Sequence, residues 1–243
     1  MLAAATVVNL PFGTVYAFSV FLKPMEALLG IGRAEMAIVF SMASIFLTIG
    51  MLIGPALYRR FAPVPLLLVC GAMSASGLLI AAAAQGIEHL LLGYGVLFGL
   101  GGGVVFIMMQ QGLNQTISPM SGLANGYVVS LYPMGAMLGA PVFGWAIEVF
   151  GLRATLAGLA LTVLTCCAIA AMLWRRAQVR MQDPGASTAD SEARHWGLFA
   201  RLFTVFFLAA SAGLMVMSQA AGILQAYGST TLFALGGTTF ITG

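Results

Sequence analysis

Seven stretches of this sequence run for about twenty residues or more with scarcely a charge. They fall near 1–22, 35–58, 63–84, 90–113, 123–147, 152–174 and 198–227, and an eighth opens near 229. The hydrocarbon core of a bilayer is about 30 Å thick and a helix rises about 1.5 Å per residue, so each run can cross it. Lipid offers backbone N–H and C=O groups no partner, which leaves helices and closed barrels as the spanning structures. Barrel strands would show as alternating segments of roughly ten residues; these runs do not alternate and select helices. Composition agrees, with 60% of residues hydrophobic and 7% charged, against roughly 25% charged in soluble domains. The reading is an all-α integral membrane protein.

Charges mark the breaks: Lys23, Glu26, Arg33 and Glu35, then Arg59 and Arg60, then Glu88 and His89, then Glu148 and Arg153. No basic segment precedes the first run, so it reads as a retained helix and not as a signal peptide. The longest polar stretch, "RRAQVRMQDPGASTADSEARHW" from Arg175 to Trp196, has the Asp-Pro-Gly and small polar residues of a flexible linker. Trp174 and Trp196 flank it, as interfacial aromatics do. Arg59, Arg60, Arg175, Arg176, Arg180, Arg194 and Arg201 fall on one side of the bilayer and only Lys23, Arg33 and Arg153 on the other. By the positive-inside rule the linker and the N-terminus are cytoplasmic, in a plasma or inner membrane.

The domains expected are a six-helix bundle over 1–174, a linker over 175–197, and the start of a second bundle over 198–243, with helix 7 and a partial helix 8. That is a two-bundle transporter layout broken off early in its second bundle. Six-helix halves of such proteins hold two inverted three-helix repeats. An internal echo fits: Gly50-x-x-x-Gly54 followed by Phe61-Ala62 is similar to Gly135-x-x-x-Gly139 followed by Phe150-Gly151.

Two sets of residues stand out. The first is small: Gly95, Gly99 and Gly103 on helix 4, and Gly135, Gly139, Pro141 and Gly144 on helix 5. Small residues four apart let helices approach closely, and Pro133 and Pro141 remove backbone donors from helix 5. Such a seam either packs tightly or moves. The second set is polar. Asn9, Tyr16 and Lys23 recur every seven residues, as do Asn125 and Tyr132, and Thr204, Ser211, Ser218 and Gln225. Gln110, Gln111, Asn114 and Gln115 end helix 4. Such stripes either join helices or line a wet passage. The residues taken as cavity lining are Asn9, Tyr16, Gln111, Asn114, Tyr132 and Ser211.

The absences limit the chemistry. Between the loop charges, helices 1 to 6 carry no Asp, Glu, Lys, Arg or His, so no buried proton relay or counter-ion lies there. His89 and His195 are far apart, and Cys70, Cys166 and Cys167 have no metal spacing and read as small apolar fillers. No metal, cofactor, nucleic-acid or catalytic constellation is expected. "GLGGG" at Gly99–Gly103 is no nucleotide loop, since no strand precedes it.

These motifs resemble the major facilitator superfamily, and within it the oxalate/formate antiporter and monocarboxylate porter group. "GTVYAFSVFLKPMEALLGIGRAEMAIVFS" (Gly13–Ser41) is similar to that group's helix 1 signature and its entry to helix 2. "GYGVLFGLGGG", "GLANG", "GAMLGAPVFGW" and "GLRATL" are similar to its helices 4, 5 and 6. The resemblance implies secondary active transport of a small organic anion by alternating access, with membrane lipid as surroundings. It implies too that cations of the second bundle, including an arginine in helix 8, meet the substrate carboxylate. A missing second bundle or a full-length partner would then be needed for transport. Three places depart from the pattern. Arg59 and Ala62 stand where the loop after helix 2 usually has Asp and Gly. Gln115, Met120 and Ser121 stand where basic residues precede helix 5. Val20 stands where animal carriers of this group have a functional lysine.

Overall fold

A computed structural model of the 243-residue chain describes residues 1–116, 121–179, 181 and 196–226. The expected partial helix 8 and most of the linker lie outside the described residues. Within them there are no strands, and seven helices are long and apolar enough to cross a membrane. They are α1 (Leu2–Leu29), α2 (Arg33–Arg60), α3 (Pro63–Ala82), α4 (Ile87–Thr116), α5 (Ser121–Phe150), α6 (Leu152–Ala177) and α7 (Trp196–Ala226).

Local chemistry sets the boundaries. α1 ends on Gly30, whose φ of 67° is left-handed and whose N–H closes the last turn on the Glu26 carbonyl; only glycine takes that conformation without strain. Glu35 then accepts from the Gly32 N–H at 2.8 Å, satisfying a free donor at the start of α2. Pro63 opens α3, where a missing N–H costs nothing. Two helices change pitch midway. α1 tightens into a 3₁₀ turn over Thr14–Ala17, just after Pro11, whose carbonyl also takes the Thr14 hydroxyl. α4 loosens into a π segment over Leu91–Phe98. α5, by contrast, runs as one helix through Pro133 and Pro141.

The packing repeats itself. α3 lies along α6, α2 along α4 and α1 along α5, while α3 also meets α4 and α1 meets α6. Exchanging α1, α2 and α3 for α4, α5 and α6 turns that set of pairs into itself, as two inverted three-helix units require. The register repeats too. Gly50 of α2 abuts the Leu100 carbonyl of α4, and a methyl built on it would lie 3.1 Å from the Gly103 Cα. Gly135 of α5 abuts the Leu10 carbonyl of α1, and its methyl would lie 3.2 Å from the Gly13 Cα. In return, Gly103 meets the Leu47 carbonyl and Gly13 the Tyr132 carbonyl. The first half of the sequence echo is therefore a real equivalence. The second half is not, for the position matching Phe61 in the repeated packing is Ala146 and not Phe150.

α1 and α4 are the most enclosed spans, and none of α7 from Trp196 to Gly213 is buried. α7 rests on the second half of α1, with Phe199, Phe203 and Phe207 stacked along one exposed face and Trp196 set edge-on to Phe199. Trp174, three residues before the end of α6, is turned into the bundle. It is 2% exposed, fills the space beside Gly112 of α4, and donates to the Val179 carbonyl at 3.1 Å. A missing Cβ on Gly112 opens the slot that the indole fills.

Candidate functional site

α1, α4 and α5 bring the named polar residues into two groups. In the first, the Tyr132 ring of α5 takes the edge of Phe106 (α4) at 4.9 Å and lies 6.0 Å from Tyr16 (α1), both edge-on. Such geometry sets the positive ring edge against the negative face. The Tyr132 hydroxyl donates to the Gly102 carbonyl at 3.3 Å. Tyr132 is buried and Tyr16 half-buried, so Tyr16 presents this cluster to the surface of the bundle. Phe106 escaped the sequence reading, because a phenylalanine in an apolar run looks the same whether it faces lipid or a tyrosine.

The second group lies toward the end of the bundle that carries the N-terminus. The Asn125 Oδ1 accepts from the Asn114 side chain at 2.8 Å and from Gln110 at 3.1 Å, tying α5 to α4. The Asn114 Oδ1 is buried without a hydrogen-bond partner among the described residues. Gln111 is half-buried on the same turn. Beside this group the Tyr127 hydroxyl bonds Thr6, whose own hydroxyl goes to the Leu2 carbonyl. Thr6 and Tyr127 carried no signal in the sequence beyond being polar.

The α1 stripe does not run as one line. Asn9 is 0% exposed, Tyr16 half-buried and Lys23 exposed. A 3₁₀ turn advances about 20° more per residue than an α-helix, so the Thr14–Ala17 turn swings Tyr16 out of line with Asn9. Both polar atoms of the Asn9 amide are buried without a hydrogen-bond partner among the described residues. Each such group costs about 1–3 kcal/mol unless something supplies a bond. Ser211 is exposed on α7, the helix that rests against the Thr14–Ala17 turn and the second half of α1.

The glycine seam divides between two crossings. Gly95, Gly99 and Gly103 line α4 where Met42, Ala43 and Leu47 of α2 pass; Gly135 and Gly139 line α5 where Leu10 to Thr14 of α1 pass. Gly144 is buried and Pro141 exposed. The serine and threonine stripe of α2 is self-satisfied: Ser41, Ser44 and Thr48 bond the carbonyls of Ala37, Phe40 and Ser44. No group of histidine, cysteine or carboxylate residues that could hold a metal exists among the described residues.

A bundle of membrane-spanning helices, built on an inverted repeat around an uncharged aromatic and amide interior, has the architecture of a solute carrier's half. The sequence profile of the Major Facilitator Superfamily matches residues 3–243, and the chain belongs to that family. It is similar to monocarboxylate transporter 13 of Bos taurus, 28% identical over 210 residues that cover 85% of this chain and 49% of that protein. It is also similar to monocarboxylate transporter 11 of Mus musculus, 32% identical over 158 residues covering 64% of this chain and 35% of that protein. The chain thus spans about half the length of the first of these relatives or less.

Proposed function

We propose that this chain is the first bundle, with the opening of the second, of a secondary active transporter for a small organic anion of the monocarboxylate or oxalate/formate type. It works by alternating access. The linker and N-terminus lie in the cytoplasm, as the arginine distribution argues. Tyr16, Tyr132, Gln111 and Asn114 give the substrate shape and hydrogen-bonding groups, with Asn9 as a buried polar reserve and Ser211 facing from α7. The glycine crossings let α4 slide on α2 and α5 on α1. The observation that carries this reading is the family membership together with the named relatives, which are monocarboxylate transporters.

The charge of an anionic substrate has no partner within α1 to α6, where every charged side chain falls near a helix end. The cation is therefore supplied by the remainder of the transporter, and this chain alone moves nothing. Uptake of labelled lactate, formate and oxalate is measured in proteoliposomes, with the 243-residue chain alone and fused to a second bundle. Saturable uptake by the fusion only is the expected result; saturable uptake by the chain alone refutes the division of labour. The same absence of charge favours a second reading, a neutral substrate, and labelled sugars in the same assay separate the two. A shortened membrane protein that binds a full-length partner without transporting would leave both preparations inactive.

A further inference from the structure

The two asparagines that tie α4 to α5 are oriented one-sidedly. Asn125 of α5 turns its Oδ1 toward α4, where it accepts from the Asn114 Nδ2 at 2.8 Å and from the Gln110 Nε2 at 3.1 Å. An amide oxygen has two lone pairs, so both are taken. The Asn114 Oδ1 is buried. The nitrogens are placed the other way. A carboxamide nitrogen carries two protons, so Asn114 keeps a second N–H beyond its bond to Asn125. The Asn125 Nδ2 is accessible and makes no hydrogen bond among the described residues. Gln111, beside Gln110, is half-buried with its amide unbonded among the described residues, and it can turn its N–H groups outward.

The asparagine pair therefore offers donors and no acceptor. Neighbouring hydroxyls add none. Thr6 gives its proton to the Leu2 carbonyl, so Tyr127 gives its own to Thr6, and Tyr132 donates to the Gly102 carbonyl. Hydrocarbon cannot satisfy an N–H, so the pair faces water or cargo. A neutral polyol brings hydroxyl protons that find no acceptor on the pair, whereas a carboxylate brings acceptors only. Because the donors are neutral, they suit one delocalised charge better than a dianion, which costs more to take out of water.

The inverted repeat supplies a comparison inside the chain. Counting back from the matched glycines Gly50 and Gly135 by the same step reaches Phe40 of α2 and Asn125 of α5. Phe40 stacks on Phe18 of α1 at 5.6 Å, and Phe18 lies 5.1 Å from Tyr94 of α4, all three buried. Inversion sets the matched positions toward opposite ends of the bundle. One end is sealed by packed rings, and the other holds half-buried amides. Packing alone asks for no asparagine at this position.

We propose that Asn125 and Asn114, with Gln111 beside them, form a docking point for a single carboxylate at the mouth of the passage on the side of the N-terminus. The bond from Gln110 helps hold the Asn125 oxygen toward α4 and so keeps the Nδ2 outward. That the carboxylate is cargo rests on the transport reading; the arrangement of donors does not.

The test uses the full 243-residue chain in lipid nanodiscs, isotopically labelled at the side-chain nitrogens of asparagine and glutamine. Those amide signals are followed by nuclear magnetic resonance as sodium acetate is added at constant ionic strength. A saturable shift of the Asn125, Asn114 and Gln111 signals in the millimolar range is expected, with neutral acetamide giving none. Asn125→Asp keeps the acceptor that joins the helices and replaces the outward donors by a negative charge, so the acetate response of Asn114 and Gln111 should weaken at least about tenfold. Gln111→Ala, which removes none of the α4–α5 bonds, should weaken the Asn125 response and serves if Asn125→Asp does not fold. Shifts that rise linearly with acetate, appear equally with acetamide, or persist unchanged in both variants overturn the proposal. Uptake by the fused transporter keeps the two claims apart. Saturable carboxylate uptake without these shifts removes the docking point and leaves the transport reading; saturable shifts without uptake of any carboxylate do the reverse.

Discussion

The equivalence of the two glycine crossings makes a quantitative demand. If Gly50 on α2 and Gly135 on α5 occupy repeated environments, Gly50→Ala and Gly135→Ala must cost about the same. Each added methyl would come within 3.0–3.2 Å of backbone atoms of the facing helix, besides the carbonyl it abuts. Those neighbours are main chain and cannot rotate away, so the helices must separate. Overpacking of this kind costs about 1–3 kcal/mol, which lowers the melting temperature of a chain this size by roughly 2–12 °C. Gly158→Ala, with nothing within 4 Å, is the matched control and should stay within about 0.5 kcal/mol of the parent. Because the Gly50 methyl would press on Gly103, the double variant with Gly103→Ala should cost less than the sum of its parts. The assay is thermal unfolding in detergent followed by size-exclusion fluorescence. Equal melting of Gly135→Ala and Gly158→Ala, or a loss at Gly50 with none at Gly135, would refute the repeated-crossing argument.

Three further outcomes follow from the polar groups. Asn9→Leu removes two unpartnered buried amide atoms at similar volume and should raise the melting temperature, by about 1 kcal/mol of added stability, while lowering uptake by the completed transporter. Asn125→Leu removes the acceptor shared by Gln110 and Asn114 and should cost about 1–3 kcal/mol, whereas Asn125→Asp keeps the acceptor and should cost less; the same thermal assay checks both. The Arg33–Glu26 pair, 3.2 Å long with Arg33 45% exposed, contributes less than about 1 kcal/mol, so Glu26→Gln should leave the melting temperature within about 4 °C of the parent.

How much was legible in the sequence depended on what each residue competes against. Span positions were plain, because an apolar run twenty residues long has no other stable use. Gly50-x-x-x-Gly54 and Gly135-x-x-x-Gly139 were visible as patterns, but their partners Leu100 and Leu10 were not, since any backbone carbonyl can face a missing side chain. The heptad line from Asn9 to Tyr16 assumed an unbroken α-helix, and the 3₁₀ turn after Pro11 defeated it. Trp174 was placed by its position beside the linker, but its packing into the slot at Gly112 was not visible, since a glycine does not announce which side chain will cover it. Asn114 and Asn125 were both noted as polar, but a contact across α4 and α5 is a property of the fold.

The absence of charge from the middle of α1 to α6 constrains the mechanism more than any residue present. A carboxylate held about 4 Å from a single cation gains about 4 kcal/mol at the effective dielectric of a protein surface, and the Tyr16–Tyr132–Phe106 cluster supplies no cation. A ligand in contact with this half alone would exchange water's hydrogen bonds for a few neutral ones and gain little. Under the proposed reading that weakness is useful. If one bundle held the anion tightly, rocking the bundles apart would leave it on that bundle in both orientations, and access would not alternate. Dividing recognition so that this half shapes the passage and the other supplies the charge makes tight binding conditional on both halves closing together. A neutral substrate gains nothing from such a division. Affinity that collapses with salt and with removal of second-bundle cations, but changes only modestly in Tyr16→Phe, is therefore the signature that separates the two readings.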